Sequence, residues 1–224
     1  MSLVEEIKEL VVSGHINKES KYPPEYAGKP GVVERVSAAV EQKVSIEDIL
    51  KNGLIAGMDI VGDKFAKGEY FVPEMMFSAK AMKAGLQIIR PFMVDETAFS
   101  AGKVIIGSIQ GDLHDIGKNL VAMMLEGAGF EVIDLGVNTA PEKFLASAKE
   151  NPDAIIGMSA LLTTTMENMR SVVEILSDNG LKNKVMIGGA PVTNKFADEI
   201  GADGFAPDAS SAVKEAKQLL GAEV

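Results

Sequence analysis

Two rhythms divide the chain. Up to residue 92 the apolar positions recur every three or four residues, in VEEIKELV, GVVERVSAAVEQK, ILKNGLIAGMDIVGDKFAKG and PEMMFSAKAMKAGLQIIR. Ser45, with Asp48 three residues on, predicts a capped start for the third of these segments, and Gly53 predicts a break within it. Pro73 marks the first turn of the fourth, which should stop before Pro91. Four or five short helices with compact connections predict a helical bundle over residues 1–92. The turn-rich stretch GHINKESKYPPEYAGKPG, Gly14 to Gly31, reads as a surface excursion.

After a linker at 93–101 the rhythm changes. Residues 102–224 alternate short apolar, β-branched runs (KVIIGSI, EVIDL, DAIIGM, KVMIG, DGFA) with amphipathic segments. Runs apolar on both faces are strands covered on both sides. Parallel neighbours need helical crossovers, so five β-α units predict an α/β fold with a doubly wound, five-stranded parallel sheet, Rossmann-like or flavodoxin-like. The unusual residues then gather at one rim. Gly111-Asp112-Leu113-His114-Asp115-Ile116-Gly117 follows the first strand, Gly136-Val137-Asn138 the second and Ser159-Ala160-Leu161-Leu162-Thr163 the third. Gly188-Gly189 follows the fourth strand and Pro207-Asp208 the fifth. Open α/β sheets bind ligands at this carboxyl rim, at the point where strand order reverses.

Composition narrows the chemistry. The net charge of −10 argues against nucleic acid or an anionic membrane as partner. No apolar run is long enough to cross a bilayer, and the acidic, amphipathic N-terminus is unlike a signal peptide, so a cytoplasmic protein is expected. Cysteine is absent and histidine occurs twice, which excludes a disulfide, a thiolate nucleophile and a three-histidine or Cys/His metal site. The chain lacks G-x-x-x-x-G-K-[ST], lacks G-x-G-x-x-G after the first strand, and has neither Ser108 nor Ser159 in G-x-S-x-G.

Several readings of the rim remain. Asp112, Asp115 and Asp208 resemble a magnesium-binding phosphoacceptor site, which leaves His114 without a task. His114 could stabilise its own loop, Ser159 and Thr163 could satisfy backbone groups, and Gly188-Gly189 could only make a turn. A metal-ligating histidine has its second ring nitrogen oriented, typically by a carboxylate, and Asp-x-His supplies that pair locally. One histidine cannot hold a metal ion alone. It can cap a metal already held by a macrocycle, whose chemistry the protein then tunes.

Asp112-Leu113-His114-Asp115-Ile116-Gly117, Ser159-Ala160-Leu161 and Gly188-Gly189 together match D-x-H-x-x-G, S-x-L and G-G. In this the chain resembles the cobalamin-binding corrinoid proteins of methyltransferase systems, and its helical half is similar to the cap that precedes the cobalamin module of methionine synthase. The resemblance implies a base-off cobalamin, with His114 as lower ligand to cobalt, Asp112 as its hydrogen-bond partner and Thr165 completing the relay. It implies that Gly111, Leu113, Asp115, Ile116, Gly117 and Val137 lie at the cofactor, with Gly117 leaving room for the corrin. Ser159 and Thr163 would line the pocket of the benzimidazole tail, Leu161 would lie at the cofactor, and Gly188-Gly189 would let the tail pass close to backbone. Phe71, Met75, Met76 and Met82 are candidates for the surface over the upper corrin face, against a plain reading of the methionines as core. His15 reads as a loop residue.

The implied activity is that of a methyl carrier rather than a complete enzyme. Cobalt(I) would take a methyl group from a substrate-specific methyltransferase, giving methylcobalamin in the loaded state. A second methyltransferase would pass the methyl to a pterin or a thiol, and a reductive activator protein would restore the carrier. The longer N-terminal region leans the substrate towards an aryl methyl ether, in an O-demethylase system, over methanol or a methylamine. Alternatives are a cobalamin-dependent sensor, the cobalamin subunit of an isomerase, and a phosphoacceptor or flavin module without corrinoid.

Overall fold

The computed structural model describes residues 1–93 and 101–221. The expected linker at 93–101 lies almost wholly outside the described residues. Two compact units are present, one of helices and one of alternating strands and helices that starts at Ala101.

In the helical unit, α1 (Leu3–Ser13) is capped by the Ser2 side chain, which accepts from Glu5 N–H, and ends on Gly14 in the left-handed conformation. It packs against α2 (Val32–Glu41), α4 (Ala56–Ala66) and α5 (Val72–Ile89). Ile7, Val11, Val32, Val36, Leu54, Val61 and Ile89 are fully buried, as the apolar stripes require. α4 comes close to α1 because residue 57 is glycine: a Cβ there would stand 2.8 Å from Val11 Cβ. Two local expectations change. Ser45 precedes the short helix α3 (Ile46–Asp48) but makes no side-chain capping bond. Gly53 does not break the helix either; Ile49–Ile55 forms a π-helical turn, and the helical run continues into α4. Gly14–Gly31 does run over the surface, and it is docked there, with the Tyr22 ring stacked on Phe77 of α5 at a centroid distance of 4.0 Å.

The second unit holds β1 (Gly102–Ser108), β2 (Phe130–Asp134), β3 (Ile155–Ser159), β4 (Val185–Gly188) and β5 (Gly204–Ala206). They form one parallel sheet in the order β2-β1-β3-β4-β5. The helices are α6 (Ile116–Gly127), α7 (Pro141–Glu150), α8 (Thr163–Met166), α9 (Asn168–Asp178), α10 (Asn194–Ile200) and α11 (Ala209–Leu219). Side chains alternate across the sheet with period two. Ile105, Ile156, Met158, Val185 and Ile187 share one core with Phe144, Met169, Val172, Leu176 and Phe196 of α7, α9 and α10. Val104, Ile106, Ile155 and Met186 belong to the other face and are also buried. α11 packs on β4 and β5. Strand order reverses between β1 and β3, so the loops after these two strands flank the switch point.

Candidate functional site: a presented histidine at the switch point

Asp112 organises the site. It is fully buried, and its carboxylate accepts four hydrogen bonds. Oδ1 accepts from His114 N–H at 3.0 Å and from His114 Nδ1 at 2.7 Å. Oδ2 accepts from Leu161 N–H at 2.8 Å and from the Thr165 hydroxyl at 2.6 Å. Burial alone pushes the carboxyl up, but the bonds from Thr165, Leu161 and His114 outweigh it and hold the group well below the usual carboxylate range. An ionised carboxylate only accepts, so His114 Nδ1 is the donor. In the neutral ring the lone pair then sits on Nε2. The His114 side chain is 52% exposed, and Nε2 has no protein partner among the described residues.

The loop that carries it is tightly tied. Gly111 takes φ +84°, a conformation open mainly to glycine. The buried Ser108 hydroxyl donates to the His114 carbonyl at 2.6 Å, and Asn168 donates its amide to the Gln110 carbonyl at 2.9 Å. Neither contact is legible in the motif, because each joins residues of different elements.

Around this nitrogen the rim is apolar and open. Leu113 (70% exposed), Ile116 (80%), Val137, Leu161 and Leu162 are, with Leu220, the exposed large apolar residues described in this unit. Such clustering on loops marks a surface that another group covers. A Cβ on Gly117 or Gly136 would meet nothing within 4 Å. Thr163 is exposed at the start of α8, Ser159 is half-buried at the end of β3, and Asp115 is exposed, accepting from the Asn119 side chain.

The magnesium reading loses its support. Asp208 caps α11 by accepting from Ser211 N–H, Asp112 is committed to its four donors, and no cluster of three or more His, Asp or Glu that could hold a metal ion occurs among the described residues. The double glycine has a cause within the fold itself. A Cβ on Gly188 would stand 2.7 Å from the Ala206 carbonyl oxygen, and one on Gly189, at φ +122°, would collide with the Ala160 carbonyl. Close approach of neighbouring strand ends requires glycine there. In the helical unit Phe71 (66% exposed) and Met76 keep open surface, whereas Met75 and Met82 are fully buried. Met75 therefore has no surface for a ligand in this conformation, because it serves as core.

One oriented imidazole with a free nitrogen, set among exposed apolar side chains and open glycines, fits a flat metal macrocycle that brings its own equatorial ligands. Comparison with known proteins agrees. The B12 binding domain family matches residues 102–217, and a second B12 binding domain family matches residues 29–90. A corrinoid protein of Desulfitobacterium hafniense is 39% identical over 99% of both chains. Dimethylamine corrinoid protein 1 of Methanosarcina acetivorans is 45% identical, over 84% of this chain and 91% of its own. Among solved structures, the methanol:cobalamin methyltransferase complex of Methanosarcina barkeri matches with a TM-score of 0.82 and 28% identity, over 99% of this chain and 81% of that one. A cobalamin-binding protein from Desulfitobacterium hafniense matches with a TM-score of 0.73 and 28% identity, over 96% of each chain. The chain belongs to the B12-binding corrinoid proteins, and cobalamin is its cofactor.

Proposed function

We propose that this protein is a methyl carrier that works between a substrate-specific methyltransferase and a second, methyl-accepting one. Cobalamin, when bound, supplies a cobalt centre able to take and release a methyl group. The observation that carries the reading is His114 Nε2, without a protein partner among the described residues while Asp112, itself held by Thr165, accepts from Nδ1 on the opposite side of the ring.

His114 would offer Nε2 as lower ligand in place of the cofactor's own benzimidazole. Asp112 holds the proton at Nδ1, which fixes the tautomer and leaves the Nε2 lone pair to donate. Thr165 and Leu161 N–H stabilise the carboxylate charge, so a proton gained or lost along this relay would change how strongly the histidine donates. Gly111, Leu113, Ile116, Gly117, Val137 and Leu161 would lie against the corrin and exclude water. Ser159, Thr163, Gly188 and Gly189 would border the tail, and Phe71 with Met76 would cover the upper face.

For the methyl donor, a methylated amine is supported by relatives named as dimethylamine and trimethylamine corrinoid proteins, at 43–46% identity. The aryl methyl ether reading rests on the Gly14–Gly31 segment. The name of the methanol:cobalamin methyltransferase complex supports a methyltransferase as partner. The acceptor, pterin or thiol, and a reductive activator complete the proposal. The test is stoichiometric loading with methylcobalamin, followed by methyl transfer to a thiol and to a folate in the presence of the cognate acceptor enzyme. Donor assays with a methylamine and an aryl methyl ether then separate the two donors. A chain that retains no corrinoid after gel filtration refutes the reading.

A further inference from the structure

We propose that Asn138, in the loop after β2, is a positioning residue for His114 that acts through Gly111 and Asp112; this rests on His114 being the lower ligand. The Asp112 carboxylate orients the imidazole, but the ring is placed no better than the backbone that carries both residues. Asn138 grips that backbone at two points. Its Oδ1 accepts from Gly111 N–H at 2.8 Å, and its own N–H donates to the Asp112 carbonyl at 2.8 Å.

To make both bonds Asn138 takes φ +49°, a left-handed conformation uncommon outside glycine and best tolerated by asparagine and aspartate. Its side chain is exposed and fills no core, so the amide has the loop as its object. The Asn138 loop is itself anchored. Asp134 at the end of β2 accepts from Gly136 N–H at 2.8 Å and pairs at 2.6 Å with Lys118, a lysine only 2% exposed. The Gly136 carbonyl accepts from Ser108 N–H at 2.9 Å, and the Ser108 hydroxyl in turn holds the His114 carbonyl. The histidine loop is thus gripped before the ligand by Asn138 and after it by Ser108. Groups that orient a metal-ligating histidine commonly change ligation by about ten- to a hundredfold when removed.

The test uses the full chain with isotope-labelled histidine, loaded with the cobalt(II) form of cobalamin and read by electron paramagnetic resonance. A coordinating nitrogen splits the cobalt lines, and a splitting that changes with the label belongs to histidine rather than to the cofactor's own base. Asn138→Gly keeps the N–H and accepts the positive φ but deletes the Oδ1 acceptor; Asn138→Asp keeps the acceptor. The expected result is a shift of about tenfold from histidine-on towards histidine-off in Asn138→Gly, with Asn138→Asp close to wild type. Equal histidine-on fractions in all three proteins overturn the proposal. So does a loss in both variants that follows only their loss of thermal stability. If the glycine variant does not fold, Asn138→Ser, one atom shorter, replaces it with the same outcomes. A wild-type spectrum without label-sensitive splitting instead removes His114 as ligand, and the proposal with it.

Discussion

The two histidines occupy opposite circumstances. His15, in the helical unit, is fully buried, with Nδ1 3.2 Å from the Tyr22 carbonyl and Nε2 2.9 Å from the Lys29 carbonyl. Both nitrogens lie against chain carbonyls, the one that carries the proton donating, and the ring staples the Gly14–Gly31 segment to the end of α1. His114 is half exposed, spends one nitrogen on Asp112 and leaves the other open among the described residues. In the first region the histidine serves the fold; in the second the fold serves the histidine. The difference lies in where the polar partners are, because a ligand site needs a nitrogen the protein has oriented but not consumed.

Substitutions can break this comparison at different strengths. Asp112→Ala should be the most severe. It strands Leu161 N–H and His114 N–H beside a buried cavity and leaves the Thr165 hydroxyl only the Leu162 carbonyl, at a cost of about 4 kcal/mol in chemical unfolding of the apo-protein. The pH dependence follows from the same carboxyl. Its folded pKa is depressed, so its hydrogen bonds contribute fully above about pH 4, its unfolded value, and are lost as pH falls below that. The urea midpoint of Asp112→Asn should accordingly fall less steeply than that of the wild type below about pH 4.

His15→Ala should come next, at about 3 kcal/mol, from a cavity plus the hydrogen bond that the ring N–H gives to a carbonyl. Its signature is selective: stability falls, while the cobalt spectrum of the loaded protein stays as in wild type. A changed spectrum would break the division of labour between the two histidines. Thr165→Val is the finer probe, costing about 2 kcal/mol for one bond to a buried charge, with Thr165→Ser restoring most of it. If both variants bind cobalamin like wild type at every pH, the hydroxyl belongs to the fold and not to the relay.

The strand-helix rhythm and the placing of Asp112, His114, Ser159 and Gly188 at one rim were legible in the sequence, because periodicity and strand order carry that information. Thr165 was legible only through family resemblance, and the structure brings its hydroxyl onto Asp112 from a different βα loop. Other features depend on contacts across the chain that no local pattern encodes. The Ser108–His114 and Asn138–Gly111 bonds join separate elements, and the demand for glycine at 188 and 189 comes from the carbonyls of Ala206 and Ala160. The π-helical turn through Gly53 replaced a break because α1 packs against this stretch and keeps the helical run intact. Met75 and Met76 are neighbours of one residue type on one helix; only the packing of the bundle determines that the first is core and the second surface.

The most direct test of the central claim is the visible spectrum of the chain loaded with methylcobalamin, recorded beside His114→Ala. The expected result is a tightly bound, base-off cofactor whose spectrum shifts when the imidazole is removed, with the apo-protein fold intact. Identical spectra for the two proteins would contradict it, since the open Nε2 would then not be the nitrogen that meets the cobalt.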